Sequence, residues 1–103
     1  MHKPIDMPRG IRTIVEVDVR YWQGRLEPFQ FVLKGEYYRI RRITRRCKRM
    51  LNDRALQFYW VRLENHHGAF ELMEDLASAL WTLRRADEPS LQEKKFQAIR
   101  LAA

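Results

Sequence analysis

The sequence predicts a small, mainly β domain: an antiparallel barrel-like or sandwich domain of five to six strands with a C-terminal helix. Three observations carry that prediction. Apolar and polar residues alternate with period two in several segments, tight-turn residues separate those segments at short intervals, and a helix-opening signature stands near the end of the chain. With 103 residues, 46% of them hydrophobic and 12% aromatic, the chain suits a single domain and carries enough apolar side chains to fold. It divides into a loose segment over residues 1–10, a β domain over 11–85 and a helix over 90–103.

The first ten residues hold two prolines and three charges and show no period. Residues 11–22 then set Val15, Val17, Val19 and Tyr21 against Glu16, Asp18 and Arg20, the pattern of a half-buried strand rich in β-branched residues. Gln23, Gly24 and Arg25 form a turn in which glycine accepts a positive φ. Phe29, Phe31 and Leu33 share one face of a second strand, and Lys34-Gly35 folds it into a third that begins at Glu36. The third strand keeps Tyr38 and Ile40 in phase, but Ile43 falls out of phase unless one extra residue is inserted. A bulge at Arg41 and Arg42 restores it.

Residues 50–54 read as a turn and 56–63 as a fourth strand. Both its faces are apolar, with Phe58 and Trp60 opposite Tyr59, Val61 and Leu63, which argues for a central strand covered on both sides. Residues 65–68 (Asn-His-His-Gly) close another hairpin, and a strand resumes at Ala69. Beyond it two readings compete. Phe70, Met73, Leu76, Ala77, Leu80 and Trp81 fit helical spacing, slightly better than a strand, a turn over 74–79 and a short strand over 80–84. Pro89 and Ser90, with Glu93 three residues after the serine, make a capping box that opens the final helix.

The succession Pro28-Phe29-Gln30-Phe31, Lys34-Gly35, Tyr37-Tyr38-Arg39-Ile40, Tyr59-Trp60-Val61-Arg62-Leu63, Phe70-Glu71-Leu72 and Trp81-Thr82-Leu83 resembles a family of small bacterial β-rich domains of unknown function. That family also occurs as a C-terminal module of the polymerase-like, Y-family-related accessory subunit of a translesion DNA synthesis complex. The resemblance spans about residues 12–85 and brings no catalytic motif. It implies that residues 70–83 form a hairpin turning over 75–79, and it hints at a place in a DNA repair assembly. The family tends to carry glycine where this chain has Ala79 and Leu80, which implies a looser turn or a helical segment here.

Charge is unevenly placed. Twenty Lys and Arg against thirteen Asp and Glu give a net charge of +7. Residues 1–62 hold 15 basic and 6 acidic side chains, against 5 and 7 in the remainder, so the excess lies in the first half. It is densest from Arg39 to Arg49. On a strand, Arg39 and Arg41 project together, and past a bulge Arg42 joins Arg45, Arg46 or Lys48 on a common surface. Such a row tracks phosphates along one nucleic-acid strand, and guanidinium forks bind phosphate bidentately. Tyr37, Tyr59 and Trp22 are the nearby candidates for stacking platforms. The competing reading is a solvated basic strand that guards a sheet edge against aggregation.

Other chemistry is poorly supported. His66 and His67 are adjacent on an expected exposed turn with no Cys or acidic ligand at supporting spacing, so a zinc site is not expected. Cys47, flanked by Arg46 and Lys48, has the surroundings that lower a thiol pKa, but no oriented base accompanies it. As the lone cysteine it makes no internal disulfide. Glu71, Glu74 and Asp75 read as a charged turn.

The apolar runs are a few residues long, far short of the roughly 20 that cross a bilayer. No basic start leads into an apolar stretch, so a cytoplasmic protein without membrane attachment is expected. The reading is a non-enzymatic, nucleic-acid-associated accessory module without cofactor or metal. It grips DNA or RNA phosphate through Arg39, Arg41, Arg42, Arg45, Arg46, Lys48 and Arg49, with Tyr37 and Tyr59 beside them. The alternative is a scaffold that docks an acidic or apolar protein partner.

Overall fold

The computed structural model describes Ile5, Met7 and residues 10–86. Six strands follow in chain order: β1 (Thr13–Trp22), β2 (Arg25–Leu33), β3 (Glu36–Leu51), β4 (Arg54–Leu63), β5 (His66–Asp75) and β6 (Leu80–Arg85). Each pairs antiparallel with the next, and β1 returns to β6 through Thr13–Leu83, Ile14–Thr82 and Val15–Trp81, closing a barrel. The expected helix over 90–103, with its capping residues Ser90 and Glu93, lies outside the described residues.

Local chemistry sets the connections. Gln23-Gly24, Lys34-Gly35 and Asn52-Asp53 each place two successive residues at positive φ, as type I′ hairpins require, and this backbone twist matches that of the flanking strands. The turn between β5 and β6 explains why the helical spacing after Phe70 loses. The Asp75 carboxylate accepts bonds from the N–H groups of Ala77 (3.0 Å) and Ser78 (3.3 Å), and the Ala79 N–H donates to the Asp75 carbonyl at 2.7 Å. Ala79 consequently takes φ +59°, a conformation that favours glycine. Phe70 and Leu72 meanwhile pair with Val61 and Tyr59 of β4, so ladder and core together outweigh local periodicity.

Bulges fit the alternation to the closed barrel. Ile40 faces Leu63 and Arg42 faces Arg62, which leaves Arg41 as the extra residue expected from the phase of Ile43. Thr44 is a second such residue, and its hydroxyl donates to the Trp60 carbonyl at 3.1 Å. On β5, His67 and Gly68 fall out of register between the pairs Arg62–Ala69 and Leu63–His66. His66 and His67 are therefore strand residues, not turn residues as expected. The His66 ring packs against Tyr38 at 5.0 Å between centroids.

The barrel interior is filled by Val15, Phe31, Leu33, Tyr38, Ile40, Tyr59, Val61, Leu63, Phe70, Leu72, Trp81 and Leu83, with Val17 and Ile43 packed against them. Ile5 and Met7, in the stretch whose sequence reads as loose, belong to the same cluster, and the Arg85 guanidinium donates to the Ile5 carbonyl at 2.8 Å.

The double coverage expected of β4 takes a different form. Its inner face meets the core. On its outer face Phe58 and Trp60 stack 5.9 Å apart under guanidinium groups, with Arg45 over Trp60 (4.9 Å) and Arg12 and Arg49 over Phe58 (5.7 and 5.8 Å). Beside them Glu71, buried on the outer face, accepts from Arg12 and, at 2.7 Å, from Arg84. Cations thus cover an apolar face that a second layer would otherwise cover.

Candidate functional site

The cleft originates in strand lengths. β2 and β3 hydrogen-bond only where Gln30–Leu33 meets Glu36–Arg39, whereas β3 continues along β4 to Leu51 and β2 continues along β1 to the Gln23-Gly24 turn. Past Gln30 and Arg39 the two hairpins part, and the space between them is a cleft of about 550 Å³. One wall is the β1–β2 hairpin, which presents Arg20, Trp22, Arg25, Glu27 and Phe29. The other is the bulged part of β3, which presents Arg41, Arg42 and Arg46 around Ile40 and Ile43. Past the register shift between Asp18 and Val19, where Phe29 is the extra residue of β2, Arg20 and Trp22 line the cleft, and Val19 and Tyr21, expected on the buried face of Val15 and Val17, are exposed.

Five arginines and one carboxylate line this concave surface. Glu27 is buried and accepts from Arg46 at 2.7 Å, which fixes that guanidinium at the cleft floor. Arg41 and Arg42 have no ion-pair partner among the described residues. The Arg20 guanidinium lies 5.2 Å from the Trp22 ring and 5.6 Å from the Phe29 ring, which holds it against the aromatic wall. Trp22 remains 52% exposed and offers ring surface to a ligand. Uncompensated positive charge in a concavity focuses the field and draws anions, while the aromatic wall suits an unstacked base.

The basic run of β3 is divided between two faces. Arg41, Arg42 and Arg46 line the cleft. Arg45 and Arg49 lie over Trp60 and Phe58, outside the cleft lining, so of the residues expected to join Arg42 only Arg46 lines the cleft with it. Alternation separates Arg45 from Arg46, and the extra residue Thr44 decides that Arg45 turns toward Trp60 and Arg46 toward Tyr59 instead of the reverse. Arg39, opposite Gln30, and Lys48, opposite Gln57, are exposed outside the cleft. Tyr37 is exposed opposite Val32, away from the cleft lining. Tyr59 is buried with its ring 5.8 Å from Trp81, which removes it as a stacking platform. Burial, then the Glu74 carboxylate, raises the Tyr59 pKa, with Arg46 opposing.

Arg20, Arg25 and Glu27 enter the site without having been singled out in the sequence as ligand-binding, and Phe29, expected on the face of Phe31 and Leu33, lines the cleft instead of joining the core. Period two in β1 already places Arg20 beside Trp22, but that the hairpin faces β3 follows only from barrel closure. Cys47 is half-buried opposite Phe58. No cluster of three or more His, Cys, Asp or Glu able to hold a metal ion occurs among the described residues.

A smaller depression of about 230 Å³ adjoins the cleft, lined by Arg62, Leu63, Asn65, His66, His67 and Gly68 and sharing Arg41 with it. No protein-family model, curated protein or solved structure matches the chain.

Proposed function

We propose that this barrel is a non-enzymatic nucleic-acid-associated module that binds phosphate in the cleft between its β1–β2 and β3–β4 hairpins. The observation that carries this reading is the lining itself: among the described residues, five arginines, one of them pinned by the one lining carboxylate, against an aromatic wall. Guanidinium groups bind phosphodiesters through paired N–H donors, and Trp22 is placed to stack on a base. Contacts to phosphate carry no sequence information, so binding is weakly sequence-selective and strongly salt-dependent.

The test is anisotropy of a labelled oligonucleotide titrated with protein at several salt concentrations. Log affinity should fall linearly with log salt, and the double reversal Arg25→Glu with Arg42→Glu should abolish binding. Arg45→Glu, over Trp60 and outside the cleft lining, should retain most of it. No binding at low salt, or equal loss from Arg45→Glu, would sink the reading.

One observation favours a second reading, a scaffold that docks a protein partner in a DNA repair assembly of the kind the family resemblance implies. The face of the β1–β2 hairpin turned away from the cleft carries Val19, Tyr21 and Leu26, 45%, 73% and 54% exposed, with Tyr21 directly opposite Leu26. An exposed apolar strip on a projecting hairpin is a docking feature. Val19→Asp with Leu26→Asp should abolish partner capture and spare oligonucleotide binding. Loss of oligonucleotide binding instead would remove the distinction between the two faces.

A further inference from the structure

The like-charged pair Arg42 and Arg62 bridges the cleft and the depression beside it. The two residues are direct cross-strand partners, one lining each concavity, and neither has an ion-pair partner among the described residues. Like charges directly opposite each other destabilise a sheet, and no described carboxylate offsets this pair. A bound anion would offset it. Arg41, pushed out of the ladder by its bulge, lines both concavities and stands on the ridge between them. The bulge on β5 at His67 and Gly68 borders the same depression, where the described residues present a guanidinium, imidazoles and the Asn65 amide without any acidic group.

We propose that the depression is a second phosphate site, so that the ligand is an unpaired nucleic-acid strand running from the cleft across Arg41 to the β4–β5 turn. This rests on the phosphate-binding reading of the cleft and adds to it a direction, a minimum length and a strand state. The cleft of about 550 Å³ and the depression of about 230 Å³ meet at Arg41, which makes a track for a strand of several nucleotides. Unpaired bases are free to turn onto Trp22, whereas a duplex keeps them in its stack.

The experiment compares a labelled thymidine dinucleotide with an oligothymidylate of about twelve nucleotides, a length within the range of single-strand binding sites. Wild type, Arg62→Ala, His67→Ala and Arg25→Ala are titrated at several salt concentrations, with a duplex of matched length and a polyglutamate peptide as competitors. Arg62→Ala and His67→Ala should weaken the long strand about three- to tenfold, and Arg62→Ala should lower its salt slope by about 0.7, one phosphate contact. Both should leave the dinucleotide unchanged, while Arg25→Ala should weaken both ligands. A melting curve of Arg62→Ala should lie at or above that of wild type, because the repulsion with Arg42 is gone.

Equal effects of Arg62→Ala and His67→Ala on the two ligands, or none on either, would overturn the second site. A duplex that competes as well as the single strand would overturn the strand state. A peptide that displaces the strand at equal charge would make the occupant an acidic protein segment. If Arg25→Ala changes neither ligand, the cleft reading fails, an outcome separate from failure of the second site alone.

Discussion

Glu27→Gln should raise affinity for nucleic acid while lowering stability. Among the described residues lining the cleft Glu27 is the one carboxylate beside five arginines; it is 8% exposed and holds Arg46 at 2.7 Å. A phosphate bound to the far side of that guanidinium lies roughly 7 Å from the carboxylate. With an effective dielectric constant of about 40, between the surface and bulk values, the repulsion is about 1 kcal/mol, or close to fivefold in Kd. The amide removes that repulsion and frees Arg46. It also removes a charge-assisted hydrogen bond that Arg46, with 31% of its side chain exposed, partly shares with water, for a loss of about 1–2 kcal/mol. In a domain of this size that lowers Tm by roughly 5–15 °C. Anisotropy titrations and thermal melts on one preparation read both effects. An unchanged or weaker affinity in a folded variant would show that phosphate does not enter the cleft.

Further expectations follow from the rest of the barrel. Glu71, 2% exposed between Arg12 and Arg84, leaves two guanidinium groups unpaired when replaced by Gln. That loss is about 2–4 kcal/mol, less than for a fully buried pair because Arg12 is partly solvated, and a urea midpoint equal to wild type would contradict it. Ala79→Gly should stabilise by about 0.5–1 kcal/mol, because relief of the positive φ exceeds the entropy glycine adds to the unfolded chain, and a lower midpoint would count against the turn described. Burial raises the Glu74 pKa above 4.5, so this group favours the folded state when protonated. Its contribution is complete below about pH 4.5 and is lost as pH rises through the folded value. Glu74→Gln should therefore raise Tm at neutral pH and flatten the decline above pH 4.5, and an unchanged pH profile of melting would argue against it.

What the sequence made legible is what local chemistry determines. The period-two runs, the Lys34-Gly35 hairpin and the extra residue at Arg41 are written in alternation and turn preference, and the strands stand where those rules put them. The β5–β6 hairpin was ambiguous because Ala77, Ala79 and the apolar spacing favour a helix, while Asp75 and pairing with β4 decide for a turn. The site was half legible. Arg41, Arg42 and Arg46 stand out as a basic run, but the bulge at Thr44 sends Arg45 to Trp60, and no pattern in β3 alone announces a second phase shift. The opposite wall depends on where β2 leaves β3, a property of barrel closure and not of any one strand. Tyr59 lies on an apolar strand whose two faces look alike in sequence. Only the register with Leu72 sends it inward and Trp60 outward.

The central claim is that anions enter between the two hairpins, and the most direct test is residue-resolved NMR during titration with a single-stranded oligothymidylate. Arginine side-chain and backbone signals should shift first for Arg20, Arg25, Arg41 and Arg42, then for Arg62 and His67, while Arg45 and Trp60, outside both concavities, stay still. Shifts confined to Arg45, Arg49 and Trp60, or to Val19, Tyr21 and Leu26, would contradict the account, as would a spectrum unmoved at low salt.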